Sequence, residues 1–536
     1  MARILLVDDD KDQLEMRRLL LDQAGHEVQA AGSVEEAERL LDVQTPKLVL
    51  MDLRLPRTED GLTLIRRVRA SAPRVKIVVL SGYLPDLSNL PEEGMVDQVL
   101  SKPMRSEKLL RTITRLALFI VCLMPLRAQS VRTFALQVES PAEVVAEMDI
   151  SASGADWGRA GRESVLVTMT VDELRKQHLM LYAGGERHVY RAWLGELQPG
   201  AHTVKLERHP DYSARGIPLE VHRVNFRPYQ PSDPDYAVIV NAPALFARTN
   251  TIGKFTDIPL LLYCERLGDG SLRYTMIFSN EDGGTDTRGL MARWGRTTDI
   301  EHIYQVWPDK SGKGPRAQIQ TRDHKDVEFQ GKREGMHPLL AVVTDNNMVA
   351  GDSASAVRYH LAPVVADLGA ASREKVMDEN LLTYVISARE LEREGKLRKF
   401  GTVEGSKISS PENYLHVEMR LLNKEARIAV LVRLQGENFF RSSHSNMTEN
   451  AIERSGWVRT TIELPPATQP GQVAEIALQC LPEPKTDGSG SCRVESIGKM
   501  FFLNSRQQPD ENFWRPGMDK GPWIIPAGHT RLVPVR

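Results

Sequence analysis

Cysteine is scarce in this chain. It has four, Cys122, Cys264, Cys480 and Cys492, with no CxxC spacing among them. That excludes a scaffold built on disulfides and argues against thiolate-bound zinc. Cys480 and Cys492 bracket LPEPKTDGSGS, a turn-rich stretch between two strand-like runs. A disulfide across a hairpin loop and a pair of ordinary thiols both fit that spacing. A surplus of charge of either sign is also missing. The 69 basic and 71 acidic residues leave a net charge of -2 and a pI near 6.7, so the chain lacks a global basic footprint, and no nucleic-acid partner is expected. The apolar run from Leu116 to Met124 falls short of the roughly 20 residues a membrane helix needs, which leaves no confident membrane span. HExxH and GxSxG motifs, a strong internal repeat and a long low-complexity tract are absent as well.

What is present divides by texture. At 536 residues the chain is long enough for roughly three or four domains. The first hundred residues alternate strand-like and helix-like patterns: RILLV, an amphipathic stretch from Lys11 to Ala24, Val28 to Ala31, Val34 to Asp42, KLVLM, Leu62 to Ala70, VKIVVL and VDQVL. Such alternation predicts a doubly wound α/β domain with a five-stranded parallel sheet. Four of its apolar runs end in polar residues: Asp8-Asp9-Asp10 after RILLV, Asp52 after KLVLM, Ser81 after VKIVVL, and Lys102-Pro103 beyond VDQVL. In an open parallel sheet the carboxyl ends of the strands share one edge, where ligands bind, so these groups are expected in one pocket.

The acidic pair in VDDD, the aspartate of MDLRLP, the hydroxyl of LSG and the lysine of SKP stand in order at spacings of 44, 29 and 21 residues. Over residues 1–118 this pattern resembles the receiver domain of two-component response regulators, and the implied fold is flavodoxin-like. The resemblance implies that Asp52 accepts a phosphoryl group from a histidine kinase or phosphotransfer protein. It implies Mg²⁺ held by Asp8, Asp9, Asp52 and the backbone carbonyl of Arg54, a hard cation on oxygen ligands. Lys102 is implied to pair with phosphoryl oxygens, Ser81 to hydrogen-bond one of them, and the Lys102-Pro103 bond to be cis. The chain departs from the family pattern at three places. Gly61 comes one residue late, predicting a longer loop after Asp52; Val99 stands where an aromatic switch residue is expected; and Pro85 and Pro91 interrupt the region of the fourth helix. The family's signalling face on its fourth and fifth helices is therefore not carried over.

Ser106 to Leu118 reads as the last receiver helix. Arg105, Lys108, Arg111 and Arg115 precede the apolar run, and Pro125 and Leu126-Arg127-Ala128 follow it. That is the layout of a secretory signal peptide, so residues 119–129 form a signal-peptide-like junction. Beyond it, strand-like runs at roughly ten-residue intervals predict β-rich, antiparallel sandwich-like domains: a first at 130–232, a β-rich block with a polar cluster at 235–368, a helical linker at 372–396 and a second sandwich at 400–536. In the middle block Asp282, Asp299, Glu301, His324, His337 and Asp345 are candidates to converge on a divalent metal or a carbohydrate, although turns explain the same segments. Two functions fit these features. One is a cytoplasmic phosphorelay receiver fused to a β-rich region of unknown role. The other is an exported β-sandwich binding protein or hydrolase, residues 129–536, joined to a receiver by gene fusion or an upstream start.

Overall fold

The computed structural model describes residues 3–24, 26–73, 75–82, 87, 90–102, 109–110, 112–113, 131–281, 283–308, 315–484, 486, 488–515 and 521–533. Pro85, Pro103, Asp282, all but four residues of the expected helix 106–118, and the 119–129 junction lie outside the described residues. The chain divides into two compact units, Met1–Cys122 and Leu123–Arg536.

The first unit contains β1 (Arg3–Val7), α1 (Lys11–Gln23), β2 (Glu27–Ala31), α2 (Val34–Val43), β3 (Leu48–Asp52), α3 (Thr58–Ser71), β4 (Lys76–Ser81) and β5 (Gln98–Ser101). The strands form one parallel sheet in the order β2-β1-β3-β4-β5. The apolar runs are continuous because both faces are covered. Leu5, Val7, Val49, Met51, Ile77 and Val79 pack with Leu41, Leu62 and Ile65. The alternate residues Ile4, Leu6, Leu48, Leu50, Val78 and Leu80 pack with Leu21, Leu109 and Ile113.

One local feature differs from the sequence expectation. Helix α3 begins at Thr58, four residues early, because Asp60 Oδ2 accepts the backbone N–H of Arg57 at 3.2 Å and the two side chains pair. Gly61 therefore lies in the first helical turns, not in a lengthened loop. In the region of the fourth helix the described residues form a 3₁₀ turn, Pro91–Met95, with Pro91 at its start. Arg66 reaches Glu92 at 2.5 Å, and Arg69 reaches the Met95 carbonyl at 2.6 Å, which holds this turn on α3.

The second unit is built from sheets of three, nine, six, four and four strands among its described residues. Most pairings are antiparallel, with parallel contacts where distant strands meet, as at His178 and Tyr359. Strands from both sides of residues 232–235 share the nine-stranded sheet, and one hydrophobic core runs from Val138 to Ile386. Residues 372–396 form two helices, Lys375–Asp378 and Leu382–Arg393, whose Val376, Met377, Ile386 and Leu391 are buried. The C-terminal part places two four-stranded sheets around a common core of Leu415, Val417, Ile428, Val430, Ile476 and Val494. Arg459, fully buried, ties the helices to it by bonds to Asp378 (2.7 Å), Glu418 (2.9 Å) and Tyr384 (2.7 Å).

Cys480 and Cys492 are joined, with Cα atoms 5.8 Å apart. The link is not across a hairpin. Val473–Pro482 and Ser491–Phe501 belong to different sheets, so the bridge fastens one sheet to the other through their common core.

Candidate functional site

The parallel register aligns the strand ends of the first unit. Val7 pairs with Met51, Asp52 with Leu80, and Ser81 with Ser101. Asp8, Asp52, Ser81 and Lys102 therefore leave their strands at one edge. The three successive aspartates divide their roles. Asp10 caps α1, its Oδ1 accepting from the N–H groups of Asp12 (3.0 Å) and Gln13 (3.1 Å). Asp8 is buried and Asp9 exposed, and with the half-buried Asp52 they each offer a ligand oxygen within 4.8 Å of the others. Among the described residues this is the one group of three metal-ligating side chains so arranged. An all-oxygen donor set fits a hard divalent cation such as Mg²⁺.

Two cations balance the carboxylates. Lys102 Nζ donates to Asp52 Oδ2 at 2.7 Å and lies 3.8 Å from Asp8 Oδ2. Arg17 donates to Asp8 Oδ2 and, at 2.8 Å, to Gln13 Oε1. Burial holds the Asp8 carboxyl above its ordinary range with help from the Asp52 charge; the Asp10 N–H, Lys102 and Arg17 oppose the rise. The backbone N–H of Arg54 approaches Asp52 Oδ1 at 3.4 Å, and Ser81 is buried. The arrangement collects negative charge where a cation can neutralise it, beside a lysine already paired with the carboxylate that ends β3.

The six polar residues singled out in the second unit do not form one centre. Asp299 and Glu301, two apart on the strand Asp299–Trp307, line a cavity of about 630 Å³ with His324. His337 lies elsewhere, stacked 3.7 Å from the Trp193 ring, with Nδ1 2.8 Å from the Ala242 carbonyl and Nε2 3.2 Å from Glu143. Asp345 is drawn off by Arg248 and its side chain is largely exposed. Asp282 is outside the described residues. No triad of metal-ligating atoms forms here among the described residues, and Arg296 and Arg373 line the cavity with the carboxylates. The sequence reading missed both arginines and Glu281, Arg293 and Arg454, which line it as well; no local pattern marks them.

Comparison with known proteins bears on the first unit. Residues 4–114 match the family model of the response regulator receiver domain. The virulence transcriptional regulatory protein PhoP of Salmonella typhimurium is 33% identical over 113 residues, covering 20% of this chain and 49% of that protein. The transcriptional regulatory protein AruR of Pseudomonas aeruginosa is 36% identical over 114 residues, 20% of this chain and 46% of that protein. The chain thus spans about half the length of the curated relatives it matches. A solved response regulator receiver domain protein from Clostridium thermocellum is similar at 25% identity, covering 22% of this chain and 94% of that one, with a TM-score of 0.21.

Proposed function

We propose that the first unit is the receiver of a phosphorelay, taking a phosphoryl group onto Asp52 from a histidine kinase or phosphotransfer protein. The observation that carries this reading is the pairing of Asp52 with Lys102 at 2.7 Å beside Asp8 and Asp9. A carboxylate attacking a phosphoryl group brings two anions together, so the site must neutralise charge while it aligns the attack. Asp8, Asp9, Asp52 and the Arg54 carbonyl would hold Mg²⁺, which supplies that neutralisation.

The Asp52 carboxylate attacks phosphorus in line with the leaving group. The new P–O bond forms as the phosphohistidine P–N bond breaks, and the departing imidazole takes up a proton. Lys102 moves from the bare carboxylate to the phosphoryl oxygens, and the Ser81 hydroxyl donates to one of them. Arg17 opposes the rise of the buried Asp8 carboxyl and holds its side chain in place beside the cation site. On this reading the receiver works in the cytoplasm, and the role of the β-rich second unit is left unassigned.

The test is labelling of the full chain with a small-molecule phosphodonor. The expected label requires Mg²⁺, survives acid, is lost in base and is absent from Asp52→Asn. Lys102→Ala is expected to slow labelling by about 10²-fold, the scale of a lost charge-stabilising contact. Label that persists in Asp52→Asn, or that forms equally in chelator, overturns the reading.

A further inference from the structure

The cavity of about 630 Å³ in the second unit lies within the roughly 300–1,000 Å³ range of small-molecule sites. Its wall is neither apolar nor of one charge. The strand Asp299–Trp307 brings Asp299 and Glu301, the segment before the helix Thr287–Trp294 brings Glu281, two neighbouring strands bring Glu265 and Arg273, and Arg293, Arg296, Arg373 and Arg454 face the same space.

The cations are unequally satisfied. Arg296 donates to Glu374 Oε1 at 3.1 Å, Arg373 donates to the Ile300 carbonyl at 2.7 Å, and Arg293 lies 3.6 Å from Glu453. The Arg454 guanidinium sits 5.2 Å from the Trp294 ring and has no hydrogen bond or ion pair with any described residue. Burial, together with the nearby Arg373, Arg296 and Arg293, pushes its pKa down to about 9, with Glu374 opposing. A recessed guanidinium crowded by others is costly unless an anion answers it.

The acids point to the rest of the ligand. Asp299 Oδ2 accepts from Asn347 at 3.0 Å, and Glu281 Oε1 accepts from the Thr285 N–H at 2.8 Å. Burial and the Asp299 charge push Glu281 up to about 7 and Glu301 up to about 8. Near neutral pH these carboxyls both donate and accept hydrogen bonds, which is what a hydroxyl partner requires. A phosphate, carrying about -1.5 to -2 charge, would lie against four carboxyl groups, Glu265, Glu281, Asp299 and Glu301. A group with a single negative charge needs only one guanidinium fork.

We propose that this cavity binds an acidic saccharide, a polyhydroxylated ring bearing a carboxylate, with Arg454 taking the carboxylate and Glu281 and Glu301 taking ring hydroxyls. Isothermal titration of the full chain tests it with oligogalacturonate and oligoglucuronate, their neutral oligogalactose and oligoglucose counterparts, and inorganic phosphate. An acidic oligosaccharide is expected to bind at least ten-fold more tightly than its neutral counterpart and than phosphate. Arg454→Gln is expected to weaken that binding by roughly ten- to hundred-fold, the scale of a lost charged hydrogen bond, and Glu281→Gln by a few-fold. The wild-type comparison needs no variant to fold: equal binding of neutral and acidic saccharides, stronger binding of phosphate, or no binding of any probe overturns the proposal. So does unchanged affinity in a folded Arg454→Gln chain.

Discussion

His416 lies buried beneath Phe501, ring centroids 4.7 Å apart, in the neighbourhood of the Arg459 network. Burial, with the Arg459 charge adding to it, pushes its pKa down to about 3 against a weaker pull from Asp378. The folded state therefore keeps the ring neutral, while the unfolded chain takes a proton below about 6.5. Stability from this residue is complete above pH 6.5 and falls as the pH drops toward 3, by about 1.4 kcal/mol per unit once well below 6.5. His178, pushed down to about 4 by burial and by His209, acts in the same direction. Glu390, pushed up to about 7 by burial and Glu394, acts oppositely, since its folded form binds the proton first and gains stability as the pH falls from 7 toward 4.5. Comparison with a His416→Phe chain isolates the histidine. Urea unfolding is followed by tryptophan fluorescence, which reports the second unit alone because all seven tryptophans follow residue 130. The variant is expected to lose less stability than the parent between pH 6 and pH 4; parallel pH profiles would remove the argument.

At the scale of elements, Gly61 fixes how α3 meets β3. A Cβ built there would lie 1.9 Å from the Leu53 carbonyl oxygen and 2.8 Å from its carbon, a collision with backbone that no rotamer relieves. Gly61→Ala is therefore expected to displace α3 and cost about 1–3 kcal/mol, the range for overpacked sites. Because Leu53 follows Asp52 directly, phosphodonor labelling should fall as well. Faster hydrogen exchange in the amides of β3 and α3, with the second unit unaffected, is the measurement; unchanged exchange would mean that the helix start accommodates the methyl group. The same segment shows what the sequence could and could not disclose. The strands were legible because continuous apolar runs stop at polar residues, and a parallel sheet gathers those ends at one edge. The start of α3 was not, because Thr58-Glu59-Asp60 before a glycine reads as loop until the Arg57–Asp60 pairing is seen. In the second unit some strands pair with the next strand along the chain, but others find partners far away, as His178 and Tyr359 do. The polar set there scattered for the same reason. Arg248 captures Asp345 from 97 residues away and Trp193 stacks on His337, contacts that leave no local mark.

For the whole molecule, cysteine chemistry offers a test that treats the two units differently. Cys264 is buried, and burial pushes its thiol up to about 12, so it is expected to be unreactive in the folded chain. Cys480 and Cys492 are joined across two sheets that have a common core. In denaturant without reductant, two thiols per chain should titrate, those of Cys122 and Cys264; after reduction, four should. A count of four in protein alkylated directly from cells would show the pair kept as thiols there. Disulfides persist in oxidising compartments, whereas the phosphotransfer proposed for the first unit calls for a reducing one, so this count decides which condition the chain meets. Reduction constrains the unfolded ensemble less and should lower the stability of the second unit by about 2–4 kcal/mol, read as an earlier tryptophan unfolding transition. A Cys480→Ala, Cys492→Ala chain should match the reduced parent. Phosphodonor labelling of Asp52 should be equal in all three forms, because every ligand and charge placed around it comes from residues 8 to 102. Loss of labelling on reduction would show that the first unit depends on the bridge in the second.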